Sequence, residues 1–227
     1  MNLQVYTILF YSSSYLLFLA LLWVSNEKKG IRLFDKDGLV LNPGVLIVLH
    51  VGGIILFGVL PFLTGYASFV VLYNSAALGG LPVWLTLLLV ICISIFSSQI
   101  AKRKSTEVIR NGAFNTSLST EFFFAYFFVR IIFICTYEIW FRGFLLHDCI
   151  INFGVPLAIL MNVSLYTLLH VVNGKEETPA CIPFGLLLCS ICIWQGTAWP
   201  AVVIHLALTI SYEISFLRKI IYKQAVI

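Results

Sequence analysis

The sequence predicts an all-α fold, a polytopic transmembrane helical bundle of about seven to eight spans, and three observations lead to this prediction. Hydrophobic residues make up 60% of the 227 residues and charged residues only 11%, whereas soluble domains are about half apolar and about a quarter charged. The mean hydropathy is +1.00. Several apolar runs reach the roughly 20 residues that a helix needs to cross a bilayer. The lipid bilayer is therefore the expected surrounding of most of the protein surface.

Seven apolar runs define the expected spans. The segment 67–80 is also apolar but short, and its Gly79-Gly80 pair is typical of a loop, a re-entrant turn or half of an eighth span. The seven spans are Leu3 to Val24, Pro43 to Tyr66, Leu81 to Ile100, Glu121 to Leu146, Gly154 to Val172, Ala180 to Ala198 and Trp199 to Leu217.

The positions of the positive residues predict the orientation, because Lys and Arg near span ends stay on the cytoplasmic side during insertion. Twelve of the fourteen follow spans one, three, five and seven, and the segments on the other side have none. The sequence therefore predicts an N-terminus outside the membrane and a cytoplasmic C-terminus. The twelve are Lys28, Lys29, Arg32, Lys36, Lys102, Arg103, Lys104, Arg110, Lys175, Arg218, Lys219 and Lys223.

The cysteines, the N-terminus and the net charge argue against several other classes of protein. The six cysteines lie mostly in apolar runs, where Cys behaves as a small hydrophobe. Cys189 and Cys192 form a CxxC without a second pair, so we expect a packing role rather than a redox or zinc role. The N-terminus shows neither a basic leader nor a cleavage site, which indicates a retained first span. We attribute the net charge of +4 to the Lys and Arg residues that follow the spans on the cytoplasmic side. No nucleic-acid partner is expected.

Ionisable residues inside the apolar segments define a candidate site, because a charge in hydrocarbon costs several kcal/mol. Span four contains Arg130, Glu138 and Arg142. Glu138 and Arg142 are four residues apart, within ion-pair reach on one helix face. His170 and His205 lie in spans five and seven. A salt bridge and two hydrogen-bonded packing histidines would also explain these residues, but their occurrence together favours one shared site.

Three short motifs resemble those of the CaaX-protease and bacteriocin-processing family, also called Abi, which includes the type II CaaX prenyl endopeptidases. Residues 137–146 (YEIWFRGFLL) resemble its EExxxRG motif, residues 166–170 (YTLLH) its FxxxH motif, and residues 196–205 (GTAWPAVVIH) a TGSxWP-like turn entering HxxxN. Their order and approximate spacing agree with the family. The resemblance implies N-terminal transmembrane helices over 1–118 and catalytic-core helices over 119–227, in one continuous membrane domain.

The resemblance implies an intramembrane endopeptidase, a hydrolase of the bacterial inner membrane that cleaves a membrane-associated peptide or protein. A glutamate and a histidine activate water in this family, and a second histidine stabilises the oxyanion with an asparagine. Glu138, His170 and His205 are the matching core here, with Arg142 beside the glutamate. A carboxylate near a neutral imidazole can take a proton from water, and donors in a dry cavity stabilise developing charge strongly.

The sequence departs from the family pattern at two positions. Tyr137 replaces the first glutamate of the motif, and Thr209 replaces the asparagine, although a threonine hydroxyl can still donate a hydrogen bond. Glu138 points about 100° away from the vacant position on a helix. Glu177, in the loop after His170, and Glu213, two turns after His205, are candidate compensating carboxylates, and this pattern resembles a divergent bacterial branch.

Three alternatives remain beside the endopeptidase. The first is a non-catalytic pseudoprotease that acts in bacteriocin self-immunity or partner binding, which Tyr137 and Thr209 favour. The second is a zinc enzyme with Glu138, His170 and His205 as ligands, although the sequence has no HExxH and we expect a metal-free mechanism. The third is a transporter, which the absence of an inverted repeat in the sequence disfavours.

Straight helices would not bring the candidate residues together. With the spans above, Glu138 and His205 lie toward the outer side and His170 toward the cytoplasm, too far apart for one site at about 1.5 Å per residue. We therefore expect helices that break around a cavity, where irregular backbone is tolerated. Gly143, Gly154 and Pro156 are the expected break positions.

Overall fold

A computed structural model describes residues 3–27, 42–63, 83–110, 120–173 and 177–224 of the chain. All regular elements within these ranges are helical, which confirms the predicted all-α bundle. The segment 67–80 and the basic residues Lys28 to Lys36 and Lys175 lie outside the described residues. Seven helices follow in chain order: α1 (Leu3–Glu27), α2 (Pro43–Ile54, Ile55–Val59 and Leu60–Leu63), α3 (Val83–Arg110), α4 (Thr120–Glu138, Ile139–Leu145 and Leu146–Phe153), α5 (Val155–Leu169), α6 (Glu177–Gln195) and α7 (Trp199–Gln224).

Six of the seven helices are long and apolar enough to cross a membrane. The exception is α5, which has 15 residues and therefore spans only about 22 Å of a hydrocarbon core about 30 Å thick. The side chains that face outward include Leu16, Trp84, Phe96 and Phe128, which are between 59% and 66% exposed. These side chains are stable in this position only against lipid, and the fold is therefore an integral membrane bundle.

Two of the three expected breaks lie at the junction of α4 and α5. Gly154 separates the two helices with φ 79°, a conformation that glycine adopts at little cost. Its amide donates to the carbonyl of Ile150 at 3.0 Å, which closes the last turn of α4. Pro156 lies at the start of α5, where its missing amide costs nothing. α4 therefore ends before Gly154, and α5 begins directly after it.

Both α2 and α4 contain a π-helical turn, at Ile55–Val59 and Ile139–Leu145. The turn in α4 includes Gly143, the third expected break, as a widened turn within a continuous helix rather than as an interruption. Such turns are rare and are frequent at functional sites. Here the α4 turn follows Glu138 directly.

Aromatic side chains from α1, α2 and α4 fill the core beside the π-helical turns. Trp140, 1% exposed, lies with its ring centroid 4.8 Å from Phe57 and 5.7 Å from Tyr11. Tyr15 packs on the same tryptophan and donates its hydroxyl to the carbonyl of Leu165 at 2.8 Å. This cluster fixes the position of the α4 turn relative to α1, α2 and α5.

Gly53 and Gly52 provide a matched test of the α2–α4 packing. A Cβ on Gly53 would lie 2.9 Å from the Phe18 ring and even closer to Phe133, whereas a Cβ on Gly52 meets no atom within 4 Å. We expect Gly53→Ala to lower the free energy of unfolding by about 1–3 kcal/mol through overpacking. Gly52→Ala should leave it unchanged or raise it by up to about 1 kcal/mol through helix propensity. Denaturation in detergent micelles measures both, and equal effects would contradict this packing.

Candidate functional site

A chain of three buried ionisable groups connects α4 to α7. Glu138 Oε1 lies 2.5 Å from His205 Nδ1, and Glu138 Oε2 lies 3.1 Å from Arg142 Nη1. The side chains of Glu138 and Arg142 are 0% exposed. The carboxylate therefore holds the imidazole through Nδ1 and leaves Nε2 for other partners.

The π-helical turn fixes Arg142 in this arrangement. The amide of Leu146 bonds to the carbonyl of Phe141, the five-residue spacing of a π-helix. The guanidinium carbon of Arg142 then lies 4.3 Å from the centroid of the Tyr166 ring and 5.4 Å from that of Phe141. Aromatic faces attract a cation at this distance, so both the carboxylate and the aromatic rings stabilise the buried arginine.

His170 lies at the C-terminal end of α5, where the backbone leaves the helix with φ −93° and ψ −1°. Its Nδ1 donates to the carbonyl of Tyr166 at 2.9 Å, which directs Nε2 toward Glu177 Oε1 at 3.8 Å. The hydroxyl of Thr178 donates to the carbonyl of His170 at 3.1 Å. These contacts join the end of α5 to the start of α6.

Tyr166 brings the two histidines together. The centroid of its ring lies 4.6 Å from that of His170 and 6.3 Å from that of His205, so the two imidazoles are at most about 11 Å apart, the sum of these distances. This separation fits one active site better than the larger separation that straight, full-length spans would give. Tyr166 thus places two histidines from different helices around one ring.

The sequence predicts a loop position for Glu177, and the structure instead places it in the first turn of α6. An acidic residue in the first turn of a helix interacts favourably with the helix dipole. Glu177 is 49% exposed at its side chain, compared with 16% for His170, 11% for His205 and 0% for Glu138. The polar groups thus form a path from the buried interior to the surface at the α5–α6 turn.

The structure places Tyr137 and Thr209 differently around His205. Tyr137, 3% exposed, packs edge-on to the His205 ring at 6.3 Å, and its hydroxyl has no hydrogen-bond partner within the described part of the chain. Thr209 is buried one turn beyond His205 on α7. Tyr137 therefore fills space beside the imidazole where the family motif has a carboxylate.

Glu213 lies in a second polar cluster and not beside His205. Its Oε1 forms an ion pair with Arg130, 2.5 Å from Nε, and accepts a hydrogen bond from the Tyr126 hydroxyl at 3.2 Å. Arg130 Nη1 lies 3.1 Å from Nε2 of His50 on α2. The cluster joins α2, α4 and α7 about two helical turns from the Glu138–His205 pair, and it belongs to the scaffold of the site.

Sequence patterns did not identify His50 or the pairing of Arg130. His50 is one of four histidines in the chain and lies within an apolar run, which was the available signal. The eight-residue spacings from Arg130 to Glu138 and from His205 to Glu213 were a second signal. On antiparallel helices these equal spacings give two polar contacts, one at each level.

Among the described residues, one group of His, Cys and acidic side chains brings its ligand atoms within 4.8 Å of one another: His170, Glu177 and Cys181. The alternative zinc set of Glu138, His170 and His205 shares only His170 with this group. Arg142 also balances the charge of Glu138 at 3.1 Å. Any metal ligation in this region therefore fits the α5–α6 turn better than the Glu138–His205 pair.

Comparison with known families identifies one match. The family model described as type II CAAX prenyl endopeptidase Rce1-like matches residues 119–211, a range that includes all three motifs found in the sequence. No curated protein and no solved structure matches the chain significantly.

Proposed function

Because residues 119–211 belong to the Rce1-like family of type II CAAX prenyl endopeptidases, we propose that the chain is an intramembrane endopeptidase that hydrolyses a membrane-associated peptide or protein. The observation that carries this proposal is the Arg142–Glu138–His205 chain buried beside His170, with both imidazoles on the ring of Tyr166. An isolated salt bridge would not account for a second histidine that packs on the same tyrosine ring.

His170 and Glu177 are the proposed water-activating pair. Nδ1 of His170 is occupied by the Tyr166 carbonyl, so the neutral ring presents an unprotonated Nε2. The 3.8 Å gap between Nε2 and Glu177 Oε1 allows one water molecule to bond to both atoms. Glu177 then supplies the carboxylate that the family motif has at the position of Tyr137. The water loses its proton to the His170–Glu177 pair as it attacks the scissile carbonyl.

His205 is proposed to stabilise the developing oxyanion. Glu138 Oε1 lies 2.5 Å from its Nδ1, which fixes the ring and leaves Nε2 for the substrate. A protonated Nε2–H would donate a hydrogen bond to the carbonyl oxygen that becomes negative in the transition state. Arg142 positions Glu138 from the opposite side, so it acts through the glutamate rather than on the substrate.

Access to the site is proposed from the cytoplasmic side of the inner membrane. Exposure of the polar groups increases toward Glu177 at the start of α6. The sequence between α5 and α6 contains Lys175, which the positive-inside rule places in the cytoplasm. A substrate anchored in the membrane could present its polar segment there. The prenylated CAAX peptide in the family description is one such substrate.

A non-catalytic member of the family that binds a membrane partner is the second candidate. The observation that favours it is Tyr137, which fills the position of the motif glutamate and packs against His205. In this case the Arg142–Glu138–His205 chain would be a structural connection between α4 and α7.

Substitution of the histidines distinguishes the two candidates. We expect wild-type protein in liposomes to cleave a farnesylated CAAX-type peptide or an unprenylated membrane-spanning peptide, as measured by mass spectrometry. His170→Gln and His205→Gln should each lower the rate at least about a hundredfold. His147→Gln is the matched control, since His147 lies outside the site and pairs with Asp148, and it should retain the wild-type rate.

Two results would count against the endopeptidase. Cleavage that persists in both site variants would show that the histidines are not catalytic. Binding of the farnesylated peptide by folded wild-type protein, with neither peptide cleaved, would favour the non-catalytic candidate.

A further inference from the structure

Three side chains with three different donor atoms converge at the α5–α6 turn. His170 comes from the end of α5, while Glu177 and Cys181 come from the first turns of α6. The ring nitrogen, the carboxylate oxygen and the sulfur lie within 4.8 Å of one another. Nitrogen, oxygen and sulfur donors together are typical of sites for Zn²⁺ and related divalent transition metals.

The orientation of His170 is that of a metal ligand. A histidine that binds a metal through one ring nitrogen usually donates its other N–H to a carboxylate or a backbone carbonyl, which fixes the tautomer and the ring. Nδ1 of His170 donates to the Tyr166 carbonyl at 2.9 Å. Nε2, the nitrogen that faces Glu177, is therefore the one available to a metal.

Helix geometry places the other two donors on the same side. Glu177 and Cys181 are four residues apart on α6, which puts them on one face of the helix. Cys181 is 5% exposed, whereas the side chain of Glu177 is about half exposed. Metal–ligand distances of about 2.0–2.3 Å with tetrahedral angles require donors about 3.5 Å apart. Rotation of the half-exposed Glu177 side chain can supply most of the shortening of the donor–donor distances from 4.8 Å to about 3.5 Å.

We propose that His170, Glu177 and Cys181 form a binding site for a divalent transition metal of the Zn²⁺ class. Three protein ligands leave one coordination position for water. The Cys181 thiol loses its proton on binding, because the thiolate is the ligand. The site differs from the alternative set of Glu138, His170 and His205 by using Cys181 and leaving the buried Glu138–His205 pair intact.

The site has a consequence that rests on the proposed function. A metal bound to His170 Nε2 and Glu177 occupies the two atoms that are proposed to activate water. Zinc and water activation by this pair are therefore mutually exclusive, and Zn²⁺ is expected to inhibit peptide cleavage reversibly. A chelator should restore the rate.

Titration with Co²⁺ of the full-length protein in detergent micelles tests the site without reference to activity. We expect about one equivalent to bind with the absorption of a thiolate-to-cobalt charge transfer, which Zn²⁺ then displaces. Cys181→Ser should abolish the charge-transfer band. Cys192→Ser should retain it, because Cys192 is an equally buried thiol on the same helix outside the group. Glu177→Gln, at a half-exposed position, should weaken Co²⁺ binding at least about tenfold.

Three results would overturn the metal site: no thiolate band in the wild type, a band that survives Cys181→Ser, or a band lost in Cys192→Ser, which would place the metal at Cys189 and Cys192 instead. The peptide-cleavage assay tests the proposed hydrolase activity separately. A wild-type protein that binds Co²⁺ through Cys181 but cleaves no peptide, with or without chelator, would contradict the proposed hydrolase and leave the metal site standing.

Discussion

Replacing Arg142 by methionine is expected to lower the free energy of unfolding by about 3–5 kcal/mol, because it leaves the buried carboxylate of Glu138 without its cation. The two side chains are 0% exposed and 3.1 Å apart, so water cannot take the place of the arginine. Reversible denaturation in detergent micelles, followed by tryptophan fluorescence, measures the loss.

The double variant Glu138→Gln with Arg142→Met separates the charge from the packing. Removing both charges should recover more than half of the stability that Arg142→Met loses, because replacing a whole buried pair costs much less than breaking it. Arg103→Met on the exposed face of α3 is the matched control and should change stability by less than about 0.5 kcal/mol. An Arg142→Met protein as stable as the control would show that the ion pair does not hold α4 in place.

Glu177→Gln is expected to lower kcat by about 10²–10⁴-fold with little change in KM, if Glu177 supplies the carboxylate of the water-activating pair. Glutamine keeps the size of the side chain and its place in the first turn of α6 but cannot accept a proton. The peptide-cleavage assay with wild-type and variant protein gives both constants.

Asp148→Asn is the control for Glu177→Gln, since Asp148 is also a partly exposed acidic residue next to a histidine but lies on α4 away from His170. Its rate should equal that of the wild type. If Glu177→Gln cleaves as fast as Asp148→Asn, the carboxylate has no role in water activation. The base would then be the imidazole of His170 alone or a group around Glu138.

The helices and the family were predictable from the sequence because the bilayer imposes simple rules. Lipid requires long apolar runs with internally bonded backbone, and these runs gave the predicted bundle. Three motifs in order over 137–205 predicted the family resemblance, and the Rce1-like family model matches residues 119–211, a range that contains all three. The break at Gly154 was predictable because Gly154 and Pro156 lie only two residues apart.

Details that depend on packing between helices were not predictable. The short α5 depends on where the chain leaves the helix at His170, and the apolar sequence continues beyond that point. Arg130 and Glu213 are 83 residues apart in the sequence but 2.5 Å apart at Nε and Oε1, a contact that no local pattern contains. Cys181 lies in an apolar run of the sequence, and only the packing of α5 beside α6 brings His170 close to it.

The most direct test of the proposed hydrolytic site is the origin of the oxygen in new peptide C-termini. Purified wild-type protein and His170→Gln are incubated in H₂¹⁸O with a library of membrane-protein peptides, and the products are analysed by mass spectrometry. If His170 activates water in this site, wild-type protein will generate C-termini that carry ¹⁸O and His170→Gln will not. Product spectra that are identical for folded wild-type and His170→Gln protein would contradict the account.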